Sequence, residues 1–254
     1  MDKLLINKLL IRSNFKTEND FKFFSRVYED GDLSKYSNRL RNIGFCNFDN
    51  VFDHGCGFGQ WSFALSELNK NIYSYDIDES RISVANRIKK LNKNGNVTFT
   101  NQINYNDRDL INKFDGIFSY GVLQGLDYKK MLSNYYKLLM PGGKLYFTAT
   151  DLGWFLHCII DGHNDTVDYS SRDWGIDSIY NSLNYFITGE YKFGATICIP
   201  YNQIKNQLEE VGFKVIGIGG DGSINLSGNV IGESFFPFEK YNLKAVYEVL
   251  CEKI

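Results

Sequence analysis

From residue 51 onward the chain alternates short apolar strands with amphipathic helical stretches, and this alternation restricts the fold more than any other feature. Val51 and Phe52 run into a glycine-rich turn, after which Trp61, Leu65 and Leu68 fall at i, i+4 and i+7, one face of a helix able to lie on a sheet. Asn71 to Tyr75 reads as a second strand ending at Asp76, and Asp78 is placed to cap a helix whose Val84, Ile88 and Leu91 share a face. Val97 to Thr100 and Phe114 to Tyr120 read as the next strands, the latter apolar on both faces as parallel strands tend to be. Met131, Tyr135 and Leu138 mark a helix, Pro141-Gly142-Gly143 a turn, and Lys144 to Thr148 a strand. Ile204, Leu208 and Val211 stripe a later helix ended by Gly212, followed by strands at Phe213 to Ile218 and Ala245 to Cys251. The pattern predicts an α/β fold, a doubly wound and mostly parallel sheet of seven strands.

Two segments break the alternation. Residues 1–50 precede the first core strand and carry helix-like stretches such as Phe21, Phe24 and Tyr28, and are expected to form an N-terminal helical cap on a domain of residues 51–254. Residues 151–200 intervene between the fifth strand and its expected helix and are rich in Tyr, Trp, His and Asp. An insertion of that length in a compact domain is usually a lid or substrate wall. Ligands of doubly wound sheets bind past the carboxyl ends of the strands, so Asp53, Asp76, Asn101 to Asn104 and Tyr120 to Val122 should ring one pocket.

The turn at Gly55, Gly57 and Gly59 has glycines at alternate positions, where positive φ is free and a ligand can touch the backbone without a Cβ in the way. A dinucleotide loop places its third glycine one residue later, so that a pyrophosphate can sit on the helix N-terminus. Here that place holds Gln60, and Asp53 stands just before the glycines, where it would repel a pyrophosphate. A cationic ligand fits better, which disfavours a nicotinamide-dependent oxidoreductase.

The net charge of −2, with acids and bases interspersed, provides no overall field to draw in nucleic acid, and Lys89-Lys90 and Lys129-Lys130 read as solvated helix faces. A small-molecule partner is favoured. Five scattered cysteines without metal-ligand spacing point to a reduced, cytoplasmic protein. Met1 to Ile11 is apolar but too short in its runs for a signal-peptide core, and Leu152 to Ile160 is about half a membrane span. No membrane association is expected.

Four ordered motifs carry a resemblance to class I S-adenosylmethionine-dependent methyltransferases over roughly Val51 to Leu250. Phe52-Asp53-His54-Gly55-Cys56-Gly57-Phe58-Gly59 resembles that family's first motif, and Tyr75-Asp76-Ile77-Asp78 its ribose-binding acid. Phe114 to Ser119 with Val122 to Leu126 resembles the fourth-strand motif, and Leu138 to Gly143 the fifth. The resemblance implies a Rossmann-like methyltransferase fold with S-adenosyl-L-methionine as cofactor. It implies that Gly55 and Gly57 touch the methionine part, Asp53 helps hold its ammonium, Asp76 takes the ribose hydroxyls and Ile77 packs on adenine. Gly59, Trp61, Tyr120 and Gly121 complete the implied cofactor pocket. Where relatives have an acid for the adenine amino group this chain has Gln102-Ile103-Asn104-Tyr105, so the Asn104 amide oxygen or the backbone would serve. Gln124 stands where relatives often carry His or Glu.

Methyl transfer to a protonated oxygen or nitrogen needs a base with a pKa near the working pH, and histidine is the usual choice. Of the three histidines, His54 lies within the first motif and should point into the fold, leaving His163 and His157 of the insertion as candidate bases. Trp154, Tyr169, Trp174, Tyr180 and Tyr185 form either a substrate wall or the insertion's own small core. Asp161, His163 and Asp165 are too weakly spaced to indicate a metal, and none is expected. The expected activity is methyl transfer to an O or N atom of a small molecule, with a nucleotide-linked, phosphorylated or sugar precursor of a surface polysaccharide as the acceptor. A module that binds the cofactor without turnover is the rival, and Arg172 in the insertion is the residue to watch for a phosphorylated acceptor.

Overall fold

A computed structural model describes residues 15–28, 32–92, 94–228 and 232–254. The expectations for Met1 to Ile11 lie outside the described residues. Helices α1 (Glu18–Tyr28) and α2 (Ser34–Asn42) precede the sheet. The core then runs β1 (Asn50–His54), α3 (Gln60–Leu68), β2 (Asn71–Tyr75), α4 (Glu79–Asn92), β3 (Val97–Thr100), β4 (Phe114–Ser119), α5 (Tyr128–Leu138) and β5 (Leu139–Thr150). Two helices of the insertion follow, α6 (Leu152–Ile160) and α7 (Ser171–Thr188), then α8 (Tyr201–Val211) and β6 (Phe213–Gly220). A short hairpin, β7 (Glu239–Lys240) and β8 (Leu243–Lys244), leads to β9 (Val246–Lys253).

The seven-stranded sheet has the order β3-β2-β1-β4-β5-β9-β6. β9 is antiparallel to both of its neighbours and all other pairs are parallel. The chain winds outward from β1 through β2 to β3 and returns to β4 on the other side. The carboxyl ends of β1 and β4 therefore diverge into a crevice, the usual ligand position of such sheets.

Period-two alternation distributes β1 between the two faces. Val51 joins the cluster formed with α1 to α4, whereas Phe52 joins the cluster formed with α5 and α8. By the same parity Asp53 and His54 are sent to opposite faces. Asp78 caps α4 as expected, its Oδ1 accepting from Ser80 N at 2.8 Å.

The turn expected at Pro141-Gly142-Gly143 is absorbed into β5. Leu139 pairs with Phe114 and Lys144 with Gly116, so residues 140–143 bulge out opposite Asp115. In the insertion, Asp151 Oδ1 accepts from Leu152 N at 2.6 Å, capping α6 at the point where β5 ends. α7 crosses α6 at Gly175, where a Cβ would stand 2.8 Å from Phe155 O, so only glycine permits that approach. Trp154, Phe155 and Cys158 with Ala245 and Val246 make a separate small core. No helix among the described residues is long and apolar enough to cross a membrane.

Candidate functional site

The glycine turn is pinned to β2 by two hydrogen bonds, Gly55 N and Cys56 N donating to Tyr75 O at 2.7 and 2.9 Å. Gly55 has φ 77° and lies so close to the segment after β4 that a Cβ there would fall 2.1 Å from Val122 Cγ2. No other residue type fits. Gly57 N donates to Asp76 Oδ2 and Asp78 N to Asp76 Oδ1, each at 2.9 Å. Two backbone donors thus fix the Asp76 carboxylate in direction, with lone pairs left for a ligand.

Asp76 lies on the wall of a cavity of about 760 Å³ at the β1–β4 switch point. Gly55, Gly57, Trp61, Ile77, Tyr120 and Gly121 share that wall. Ile77 is 66% exposed at the rim, an apolar side chain left for a ligand to cover. His163 comes from the insertion to the same cavity.

Other expected residues stand elsewhere. Gln102 and Asn104 are exposed and Ile103 packs into the second core cluster, none of them on the cavity wall. Tyr105, next in sequence, takes that place. The loop after β3 turns so that Ile103 and Tyr105 both pack inward, and of the two only the Tyr105 ring reaches the cavity. Gly59 serves instead as the residue before α3, and Asp53 is buried beneath the loop with Oδ2 accepting from Ser62 Oγ at 2.6 Å. Burial raises the Asp53 carboxyl to about 7, against the lowering effect of the Ser62 bond, and the Asp76 charge adds to the rise.

His54 is buried and lowered to about 3 by desolvation, so it is neutral. Its Nε2 meets Tyr105 Oη at 2.9 Å, its Nδ1 meets Tyr135 Oη, and Tyr135 donates onward to Ser119 Oγ at 3.2 Å. Each ring nitrogen of His54 thus has a tyrosine hydroxyl as its partner.

His157 does not reach the cavity; its Nδ1 pairs with Asp161 Oδ2 at 2.7 Å. The His163 ring packs edge-on to Trp154 at 4.7 Å between centroids, and Asn164 Nδ2 lies 2.7 Å from its Nε2. Burial is the main cause lowering the His163 pKa below the usual imidazole value, assisted by His157 and Arg26. Of the aromatics expected as a wall, Trp154 and Trp174 build the insertion's small core, Tyr185 bonds Asp127, Tyr180 is exposed, and neither these nor Tyr169 line the cavity, to which the insertion instead contributes Phe193. Arg172 is also remote, its Nε donating to Ile159 O at 3.2 Å. Gln124 Nε2 donates to Gly121 O at 2.9 Å without reaching the wall.

Residues that the sequence did not single out complete the site. Phe23, Arg26 and Lys35 come from α1 and α2, Gln60 from the start of α3, and Phe235 and Phe236 from the segment before β7. Behind them a buried ion cluster fixes the wall. Arg39 Nη2 donates to Asp221 Oδ1 at 2.7 Å, Glu248 Oε2 at 2.9 Å and Tyr146 Oη at 2.8 Å. Asp221 in turn accepts from Tyr120 Oη at 3.0 Å and from the backbone N–H groups of Phe235 and Phe236 at 2.6 and 3.1 Å. Among the described residues no group of three or more His, Cys, Asp or Glu could hold a metal ion.

The family described as "Methyltransferase domain" matches residues 52–145. No curated protein matches the chain. Among solved structures, the [4+2]-cyclase SpnF is 14% identical with a TM-score of 0.57, covering 87% of this chain and 80% of its own. Magnesium protoporphyrin IX methyltransferase (ChlM) from Synechocystis PCC 6803 with bound S-adenosylhomocysteine is 15% identical with a TM-score of 0.53, each chain covered in full. N-methyltransferase NodS from Bradyrhizobium japonicum WM9, in complex with S-adenosylhomocysteine, is 14% identical with a TM-score of 0.54, covering 99% of this chain and 97% of its own. At such identities these similarities establish the fold. The cavity fits the cofactor of that fold: it has the room, a glycine loop that admits backbone contact, and a carboxylate oriented by two amides. Residues 52–145, which hold the glycine loop, Asp76 and β4, match the methyltransferase domain family, and the fold that carries them is that of S-adenosylmethionine-dependent methyltransferases.

Proposed function

We propose that the inner end of the cavity holds the cofactor and the outer, aromatic end a small-molecule acceptor, with His163 taking the proton from an acceptor oxygen or nitrogen. The observation that carries this reading is the continuity of one cavity from the amide-held Asp76 carboxylate to His163. S-adenosylmethionine, when bound, supplies a methyl group activated by a sulfonium, so the chain has only to align an acceptor and manage its proton.

Asp76 receives the ribose hydroxyls and Ile77 covers the adenine. Tyr105 replaces Asn104 at the adenine edge, its hydroxyl held in place by His54. Asp53 acts on the ammonium from beneath the loop: a cation there offsets the burial that raises its carboxyl to about 7. The lowered pKa keeps His163 in its base form at neutral pH. With Asn164 donating to Nε2, the neutral ring carries its proton on Nδ1. Proton acceptance at Nε2 then displaces the exposed Asn164 side chain.

Residues 1–50 and 151–200 serve as cap and lid on the domain of residues 51–254, since α1, α2 and the insertion supply the cavity's outer residues. The acceptor is a nucleotide-linked, phosphorylated or sugar precursor of a surface polysaccharide rather than nucleic acid, in keeping with the mixed surface charge. Five free cysteines accord with a cytoplasmic location.

The test is product formation. Methyl-labelled cofactor is incubated with pools of sugars, nucleotides, nucleotide sugars and sugar phosphates, and S-adenosylhomocysteine release is read. Label transfer that depends on one pool supports the reading; no release with any pool, despite cofactor binding, would favour the binding module.

A further inference from the structure

Two cations on the cavity wall make no ion pair among the described residues, the Asp32 carboxylate lying only within longer electrostatic range of Lys35. Arg26 makes no ion pair among the described residues, and its guanidinium lies 5.7 Å from the Phe23 ring centroid. Lys35 likewise has none, its ammonium 5.5 Å from the ring centroids of both Tyr36 and Phe235. The other cations nearby are committed: Arg81 to Asp20 at 2.7 Å and Arg39 to Asp221 and Glu248.

The one carboxylate on the wall among the described residues, Asp76, is already turned to Gly57 N and Asp78 N. Gln60, 8% exposed, stands on the same wall with its Oε1 unpartnered. The pair is thus presented to the cavity by aromatic rings, which hold the charges in place without neutralising them. Such an arrangement becomes favourable when an anion enters, and it repels a cationic acceptor.

S-adenosylmethionine carries one carboxylate, so it neutralises at most one of the two cations. We propose that the acceptor is itself an anion, a phosphate or carboxylate on a flat or apolar body, held by Arg26 and Lys35 with its body among Phe23, Tyr36 and Phe235. This deepens the functional reading above and rests on it. It excludes the neutral sugars among the acceptors of that reading. It also explains why Arg172 is not required: α1 and α2, and not the insertion, bring the anion contact.

The test uses phenyl phosphate, benzoate and neutral benzyl alcohol, titrated by calorimetry into the protein saturated with S-adenosylhomocysteine. The expected result is at least tenfold tighter binding of one anion than of the alcohol; phenyl phosphate ahead of benzoate assigns a phosphate, the reverse a carboxylate. Arg26→Gln and Lys35→Gln each keep a good helix former, and circular dichroism melting checks the fold. At least one of them should weaken the anion tenfold or more while S-adenosylhomocysteine affinity stays within threefold.

Equal binding of alcohol and anions would overturn the proposal, as would anion binding that neither variant changes. So would a loss confined to S-adenosylhomocysteine in both variants. If S-adenosylhomocysteine does not bind the wild type at all, the cofactor reading fails by itself, and the same anion titration on the free protein still decides the role of the pair.

Discussion

Replacing Asp76 by Asn tests the inner end of the cavity with little change of volume. In the folded chain each Asp76 oxygen accepts one backbone N–H at 2.9 Å and keeps further lone pairs directed outward. The carboxylate is therefore positioned before any ligand arrives, and the ribose hydroxyls would meet it without reorganisation. Each charge-assisted bond contributes about 1.5–3 kcal/mol. Asn keeps one acceptor oxygen and points its NH2 at either Gly57 N–H or Asp78 N–H, donor against donor. The loss of at least one ribose bond predicts a roughly ten- to hundredfold weaker S-adenosylhomocysteine complex, measured by calorimetry. The orphaned amide costs about 1–3 kcal/mol of stability, read separately by thermal melting so that unfolding is not mistaken for lost affinity. A 3′-deoxyribose analogue of S-adenosylhomocysteine completes the cycle: it should bind the wild type much more weakly than the parent but the variant almost equally. Affinity within threefold of wild type, together with an undiminished penalty for the deoxy analogue in the variant, would refute the ribose role.

Gly55→Ala should abolish measurable cofactor binding, because φ is 77° and the new Cβ would overlap Val122 Cγ2. A second change, Val122→Ala, should restore part of it, and normal binding by the single variant would contradict the loop geometry. Arg39→Gln leaves Asp221 and Glu248 buried without their cation, which predicts a loss of about 3–5 kcal/mol and a melting temperature lower by on the order of 10 °C. A shift under 2 °C would show the cluster to be inessential. His163→Ala should lower the methylation rate by about 10²–10⁴ with cofactor affinity unchanged. Because the His163 pKa is lowered, the wild-type rate should stay flat as pH falls through the usual imidazole value and decline only below it. An unaltered profile in the variant removes His163 as the base. Asp53 is raised to about 7 in the fold, so its stabilising contribution is full below the ordinary carboxyl range and is lost as pH rises through 7. Melting of the cofactor-free wild type relative to Asp53→Asn should show that decline between pH 4 and 8, and parallel curves would exclude it.

The strand and helix stripes were legible because each depends on residues within a few positions of one another. Trp61, Leu65 and Leu68 predicted α3, and Tyr75-Asp76 placed an acid at a strand end facing the switch point. Parity alone sends His54 to the face opposite Asp53, and the structure places it there, bordering the cavity beside Tyr105. The Pro141-Gly142-Gly143 turn was misplaced because sheet pairing beyond it, Leu139 with Phe114, extends the strand backward across a bulge. Tyr105 was passed over for Asn104 since polarity marked the likelier donor or acceptor, whereas the loop's packing chose the ring. Arg26 and Lys35 have no periodic or motif signal in the sequence; the nearest trace is the run of Phe21, Phe23 and Phe24 beside Arg26, which marks an apolar face on α1.

The chain's own order of residues determines the sheet's winding, the glycine loop and the acid that follows it, because hydrophobic period and glycine spacing act over one or two turns of backbone. Tertiary structure alone decides what surrounds that loop. Arg39 finds Asp221 and Glu248 at separations of 182 and 209 residues, and through Asp221 it positions Tyr120, Phe235 and Phe236. Contacts at such separations leave no periodic trace in a sequence. They arise only when α2, β6 and β9 are brought to one edge of the cavity, and that closure sets which side chains meet the acceptor.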